Sequence, residues 1–234
     1  SWLDYELWQG PAPRTPLKDN LIHYNWHWLW NWGTGEALNN GTHMVDLMRW
    51  GLGVAYPNHV TSSGGRFRYQ DDWETPDTQV INWNFDNNTA ITWEGRSCNG
   101  KTIDGDSVGV VFYGENGSIQ IGSGNSYKIY DLNNKLVKTV ENDFVVDPRN
   151  KMNPSQGLDA IHIQNFFDGI KKGSTVNAEI IGGHQSTLLC QLGNIALRSG
   201  GALEIDSKNG HIKNNKQASK LWKRAYQKGW EPTL

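Results

Sequence analysis

The apolar and polar positions of the chain fall into stretches of different period. Residues 1–22 open on an apolar run, Trp2 to Trp8, and then turn to Gly10, Pro11, Pro13 and Pro16, which predicts an irregular arm. From His23 to Trp32 the pattern alternates. An extended chain there would place Tyr24, Trp26, Trp28, Trp30 and Trp32 on one face, with His23, Asn25, His27, Leu29 and Asn31 opposite. Gly33-Thr34-Gly35 breaks the alternation. Glu36 to Trp50 then has helical spacing: Leu38, Val45, Leu47 and Met48 are its apolar members, and Glu36, Asn39, His43 and Asp46 follow i, i+3, i+7 and i+10 on one polar stripe.

After Gly51 the signal changes to strands. Gln79–Phe85 and Ala90–Trp93 flank Asp86-Asn87-Asn88, Ser107–Tyr113 and Ser118–Ile121 flank Gly114–Gly117, and Lys128–Leu132 meets Lys135–Val140 across Asn133-Asn134. Three consecutive hairpins predict an antiparallel sheet with one covered face. Helical period returns in Gly157–Lys171, with Leu158, Ile161, Phe166 and Ile170, and in Glu179–Arg198, with Ile181, Leu188, Leu192 and Ile195. A short strand at Leu203–Ile205 and a basic helix near Gln217–Tyr226 complete the pattern. The prediction is an α+β fold, a large, mainly antiparallel open sheet with helices packed on one face. It comprises an arm over residues 1–22 and one domain over 23–234.

Charge narrows the function. With 22 Lys+Arg against 24 Asp+Glu and a net charge of −2, the chain carries no field to attract nucleic acid or anionic lipid, and no apolar run reaches the length of a membrane span. Cys98 and Cys190 have neither a CxxC nor a His/Cys ligand spacing, so neither a zinc site nor a disulfide scaffold is indicated. The 12 Trp are the unusual number. Four of them crowd into residues 26–32, where a sugar-stacking surface and a buried core or subunit interface are equally good readings.

Candidate chemistry follows from these segments. Gly33-Thr-Gly35-Glu-Ala-Leu38 imitates a dinucleotide fingerprint but has no third Gly, no preceding buried strand and no βαβ unit, and Gly122–Tyr127 fails in the same way, so no cofactor cradle is expected. His23 and His27 lie about 13 Å apart on an extended segment, too far for one metal ion, so no metal is expected. On the polar stripe, His43 can be oriented by Asn39 or Asp46 and present its other nitrogen to a substrate hydroxyl; the plainer reading is a His capped by Asp46 in an ordinary helix.

Three separated segments, LDYELWQGPAPRTP at 3–16, HYNWHWLWNWGTGEALNNGTHMVDLMRWGLG at 23–53 and HIQNFFDGIKKGSTVNAEIIGGHQSTLLCQLGNIALRSGGAL at 162–203, resemble in order the C-terminal half of the Gfo/Idh/MocA oxidoreductases, in the bacterial branch with a long C-terminal domain. A distal stretch, Ala218 to Trp230, adds to the likeness. The resemblance implies an α+β substrate and oligomerisation domain whose partner, an N-terminal Rossmann domain binding NAD or NADP, lies outside these residues together with the family's EKP lysine. It also implies that the domain by itself holds no cofactor and turns nothing over. The exposed-looking Trp2–Trp8 run fits an upstream partner segment.

By the same resemblance Asn39-Asn-Gly41-Thr-His43 matches the family's DxGxH element with Asn for Asp. His43 becomes the acid/base or hydroxyl partner, and Asn39 orients without taking a proton. His23, Tyr24, Trp26, His27, Trp28 and Asp46 become substrate-binding candidates, and His184 supports helix packing. The family's usual Arg positions are here His27 and Gln185. The expected partners are a sugar or polyol and further copies of the chain through the sheet face. The function implied is NAD(P)-dependent oxidation of a sugar derivative, with NAD-dependent glycoside cleavage or a non-catalytic carbohydrate-binding module as alternatives.

Overall fold

The computed structural model describes residues 2–124, 126–141 and 157–233. In chain order it forms α1 (Tyr5–Trp8), α2 (Glu36–Asn39), α3 (Gly41–Leu52), β1 (His59–Gly65), β2 (Thr78–Asn84), β3 (Ala90–Arg96), β4 (Val110–Gly114), β5 (Gly117–Ile121), β6 (Tyr127–Tyr130), β7 (Leu136–Val140), α4 (Gly157–Lys172), α5 (Ile180–Arg198), β8 (Ala202–Glu204) and α6 (Lys216–Ser219). They divide into two units, residues 1–100 with 184–234, and residues 101–183.

The strictest alternation in the sequence builds the first sheet, antiparallel in the order β3-β2-β1-β8. Trp83 lies opposite Val60 and Ile91, Ile81 opposite Trp93, and Val60 opposite Leu203, so these side chains share one face. All are buried, covered by Val45 of α3 and Leu189, Leu192 and Ala196 of α5. Each such side chain contributes about 1.5–3 kcal/mol of apolar burial. The Trp83 indole donates to the Leu189 carbonyl at 2.9 Å, which removes the cost of its buried N–H. A side chain at Gly193 would run into Ile81, so glycine sets how closely α5 approaches β2.

The second unit carries the other sheet, antiparallel in the order β4-β5-β6-β7. Val110, Ile121, Tyr127 and Val140 lie in one row across it, and Phe112, Ile119 and Ile129 in the next, giving an apolar face. In the same unit α4 leaves Ile161, Phe166 and Ile170 exposed. Leu158, expected on the same helical stripe, has its side chain outside the described residues.

The antiparallel α+β class is as expected, with the strands distributed over two four-stranded sheets. The three hairpins split because β2-β3 is joined by β1, a strand the pattern did not predict: His59–Gly65 has only Val60 as a strong apolar residue and ends Ser-Ser-Gly-Gly. The helix expected over Glu36–Trp50 is two helices, interrupted where Asn39, Asn40 and Gly41, three poor helix formers, follow one another. The predicted terminal helix is short: α6, capped by the Asn215 side chain accepting from the Ala218 amide at 2.9 Å, passes into one 3-10 turn over Lys220–Trp222. The arm holds one helical turn, capped by Asp4.

Candidate functional site

The aromatic segment is wound rather than extended, which corrects the expectation of a single aromatic face. Asn25–Trp28 forms a 3-10 turn, and the amides of Trp26, Leu29 and Gly33 donate to the carbonyls of Leu21, Trp26 and Leu29, so the chain satisfies its own backbone instead of a sheet ladder. Gly33 allows this because a Cβ there would collide with the His27 backbone. Gly35, at φ +70°, packs on the Thr75 side chain, so the two glycines close this loop onto its own chain.

Winding sends the rings to different partners. Tyr24, Trp26, His27 and Trp28 form one cluster: His27 stacks on Trp26 at 3.8 Å and lies 4.5 Å from Tyr24, and Tyr24 lies 6.2 Å from Trp28. His27 Nδ1 bonds the Tyr24 carbonyl oxygen at 2.5 Å. Trp28 stacks on Trp73 at 4.4 Å, with the Arg66 guanidinium over the Trp73 ring. His23 is exposed beside Trp2. Trp32 turns away to Trp8 and donates to the Gln9 carbonyl, and Trp30 lies under the Arg198 guanidinium at 4.5 Å.

The break between α2 and α3 splits the expected single stripe, Glu36 and Asn39 falling on α2 and His43 and Asp46 on α3, and Glu36 holds the first part. Its carboxylate accepts from the Asn39 side chain at 3.3 Å and from Asn40 at 2.6 Å, which fixes the Asn39 amide and leaves the Asn39 carbonyl oxygen as an acceptor. His43, on the first turn of α3, is exposed, and its ring makes no hydrogen bond among the described residues. Gly41 between them packs against the Trp93 indole, where a Cβ would come within 3.1 Å. Asp46 accepts from the Ser186 hydroxyl at 2.5 Å, while Arg49 donates to the same hydroxyl at 2.8 Å and to Gln185 Oε1 at 3.0 Å. The structure thus places Asp46 in a tie between α3 and α5.

A cleft of about 560 Å³ opens on another flank of α5, bounded by the Trp30–Thr34 loop and the chain after α6. His184, expected to support helix packing, is exposed and lines this cleft with Gln191 and Arg198. Desolvation lowers the Arg198 pKa, and the Glu74 carboxylate opposes the shift. None of the eight site candidates, His23 included, lines the cleft. The sequence signal for it was Lys220-Leu-Trp-Lys-Arg224, cations interleaved with Trp222, read only as a basic helix. Among the described residues no group of three His, Cys, Asp or Glu could hold a metal ion.

A family model described as "Oxidoreductase family, C-terminal alpha/beta domain" matches residues 1–232. No curated protein matches the chain in sequence. Among solved structures it is similar to one from Thermotoga maritima classed as an oxidoreductase (11% identity, TM-score 0.56, covering 84% of this chain and 53% of the other). It is similar also to the WlbA dehydrogenase of Bordetella pertussis in complex with NADH and UDP-GlcNAcA (16% identity, TM-score 0.55, 82% and 53%). A third, from Desulfitobacterium hafniense and classed as an NADPH-dependent oxidoreductase, aligns at 12% identity with TM-score 0.54, over 74% and 49%. At these identities the likeness is one of fold, and the chain spans about half the length of these structures.

Proposed function

Because the chain belongs to the Gfo/Idh/MocA oxidoreductases, matching their C-terminal alpha/beta domain, we propose that it forms the substrate side of an NAD(P)-dependent dehydrogenase acting on a sugar, polyol or sugar derivative. The observation that carries this reading is His43, exposed on the first turn of α3, four residues after an Asn39 held by Glu36. Oxidising a carbinol removes a hydroxyl proton together with the C–H hydride. A neutral imidazole with an unengaged nitrogen can take that proton, and the Asn39 carbonyl can accept from a neighbouring hydroxyl. Asp46 acts one step back, locking α3 to α5 through Ser186. The cluster of Tyr24, Trp26, His27 and Trp28 offers ring faces for the apolar side of a sugar.

NAD or NADP would supply the redox chemistry in the whole protein, and these residues would contribute the proton chemistry and the hydroxyl-binding surface. The WlbA fold neighbour, captured with NADH and UDP-GlcNAcA, is compatible with a sugar-derivative substrate. Self-association through the second sheet belongs to the same reading, supported by the incompletely covered apolar row of Phe112, Ile119 and Ile129.

The test is His43→Ala in the whole protein. Loss of an acid/base group costs about 10²–10⁴-fold, so kcat falls by that order while cofactor affinity holds. A kcat within about twofold of the parent, against that expected loss, removes His43 from the mechanism.

A further inference from the structure

We propose that the cleft beside α5 binds a small organic molecule carrying an oxyanion, a phosphate ester or a carboxylate, at a site separate from the Asn39/His43 face. Its charge is the first argument. Acids outnumber bases over the chain, 24 to 22, yet the cleft lining includes Arg198, Lys220, Lys223 and Arg224 and not one Asp or Glu. The local sign therefore opposes that of the molecule, and a concave basic surface concentrates anions.

Two of these cations are already engaged. Arg224 donates to the Asn31 carbonyl at 2.7 Å, and Arg198 lies over Trp30 within the field of Glu74. Lys220 and Lys223 have no carboxylate within ion-pair distance among the described residues. Two ammonium groups without counter-charge are suited to a ligand oxyanion.

The remaining surface fits the body of such a ligand. Leu188 and Ile195 supply an apolar floor, and Trp222, stacked on His211 at 5.1 Å, forms a wall. The Asn194 amide, donating to the Thr34 carbonyl at 2.7 Å, fixes the opposite rim. About 560 Å³ lies within the range of about 300–1,000 Å³ usual for small-molecule sites. Positions 186 and 190 of α5 contact α3, whereas 187, 191 and 198 line the cleft. At about 100° per residue the two sets lie about a quarter turn apart, which separates this site from the helix bearing His43.

Calorimetric titration of the 234-residue chain with glucose 6-phosphate, glucuronate, glucose and inorganic phosphate tests the site. At least one charged sugar binds about tenfold or more tightly than glucose and inorganic phosphate, with affinity falling as salt rises; which of the two binds assigns phosphate ester or carboxylate. The double variant Lys220→Ala/Lys223→Ala binds it about tenfold more weakly at an unchanged melting temperature. His43→Ala binds it as the parent does, so this result and the dehydrogenase reading fail independently. Absence of binding, equal binding of glucose or of inorganic phosphate, or an unaltered affinity in the double variant each overturns the proposal.

Discussion

Asp77 is 1% exposed, and its carboxylate organises the turn before β2. Oδ2 accepts from the amides of Phe67 at 2.9 Å and Arg68 at 3.2 Å, and Oδ1 accepts from the Thr78 hydroxyl at 2.9 Å. Burial pushes the carboxyl pKa up. The Arg68 amide, the Thr78 hydroxyl, the Phe67 amide and the Arg66 charge together outweigh burial and leave the pKa below its ordinary value. Because the folded pKa is the lower one, the stabilisation is complete above the unfolded carboxylate pKa of about 3.9 and is lost as pH falls through the folded value. Asp77→Asn places an amide NH₂ among donors, so it costs about 1–3 kcal/mol at pH 7, and the deficit shrinks in acid. Urea melts of both proteins between pH 7 and pH 3 read this directly; a deficit constant with pH rejects an ionised Asp77. None of this was legible in the sequence, where Asp77 is one acid among several in a polar loop and its donors are backbone groups whose positions depend on the fold. The proposed pair His43 and Asn39 could be picked out from sequence only because both lie within one local segment.

Among the elements, the legible ones were those whose partners are close in sequence or whose period is strong. The β2-β3 hairpin and α5 came through with ends within a few residues. The alternation of residues 23–32 misled because its rings bury against Trp73, Trp8 and Arg198, contacts no local pattern contains, while backbone turns replace the ladder. Besides Arg198 over Trp30, Asn194 ties the loop to α5: 2% exposed, it donates to the Thr34 carbonyl and accepts from Gln79 Nε2 at 3.3 Å, and Gln79 also donates to Ser62. Asn194→Leu removes the donor to the Thr34 carbonyl and one of the two acceptors of the Gln79 amide, which keeps Ser62. The expected loss is about 1–3 kcal/mol, read as a lower urea midpoint. Because Trp30 sits on the same loop, its fluorescence shifts in the folded variant; a stable variant with an unchanged emission spectrum shows the loop to be held by something else.

On the scale of the whole molecule, the sequence carried the α+β class and the antiparallel pairing because both follow from local periodicity. The division into two sheets was hidden, since β8 joins β1 from far along the chain and a polar β1 gives no apolar signal. The second sheet poses the remaining physical question. Its row Val110, Ile121, Tyr127 and Val140 and its row Phe112, Ile119 and Ile129 make a contiguous apolar face, yet Ile119 and Tyr127 stay 38% and 37% exposed. Apolar side chains left open to water on a sheet face are suited to a covering partner. A closed dimer through identical faces is the commonest arrangement for a second copy. Ile119→Lys puts a charge at the centre of that face at a position already open to water, so the fold tolerates it while the interface does not. Light scattering of the parent chain then reports a dimer or larger species and that of Ile119→Lys a monomer, both with the same circular dichroism. A parent that is monomeric at tens of micromolar, or a variant with an unchanged mass, removes the sheet as the assembly surface.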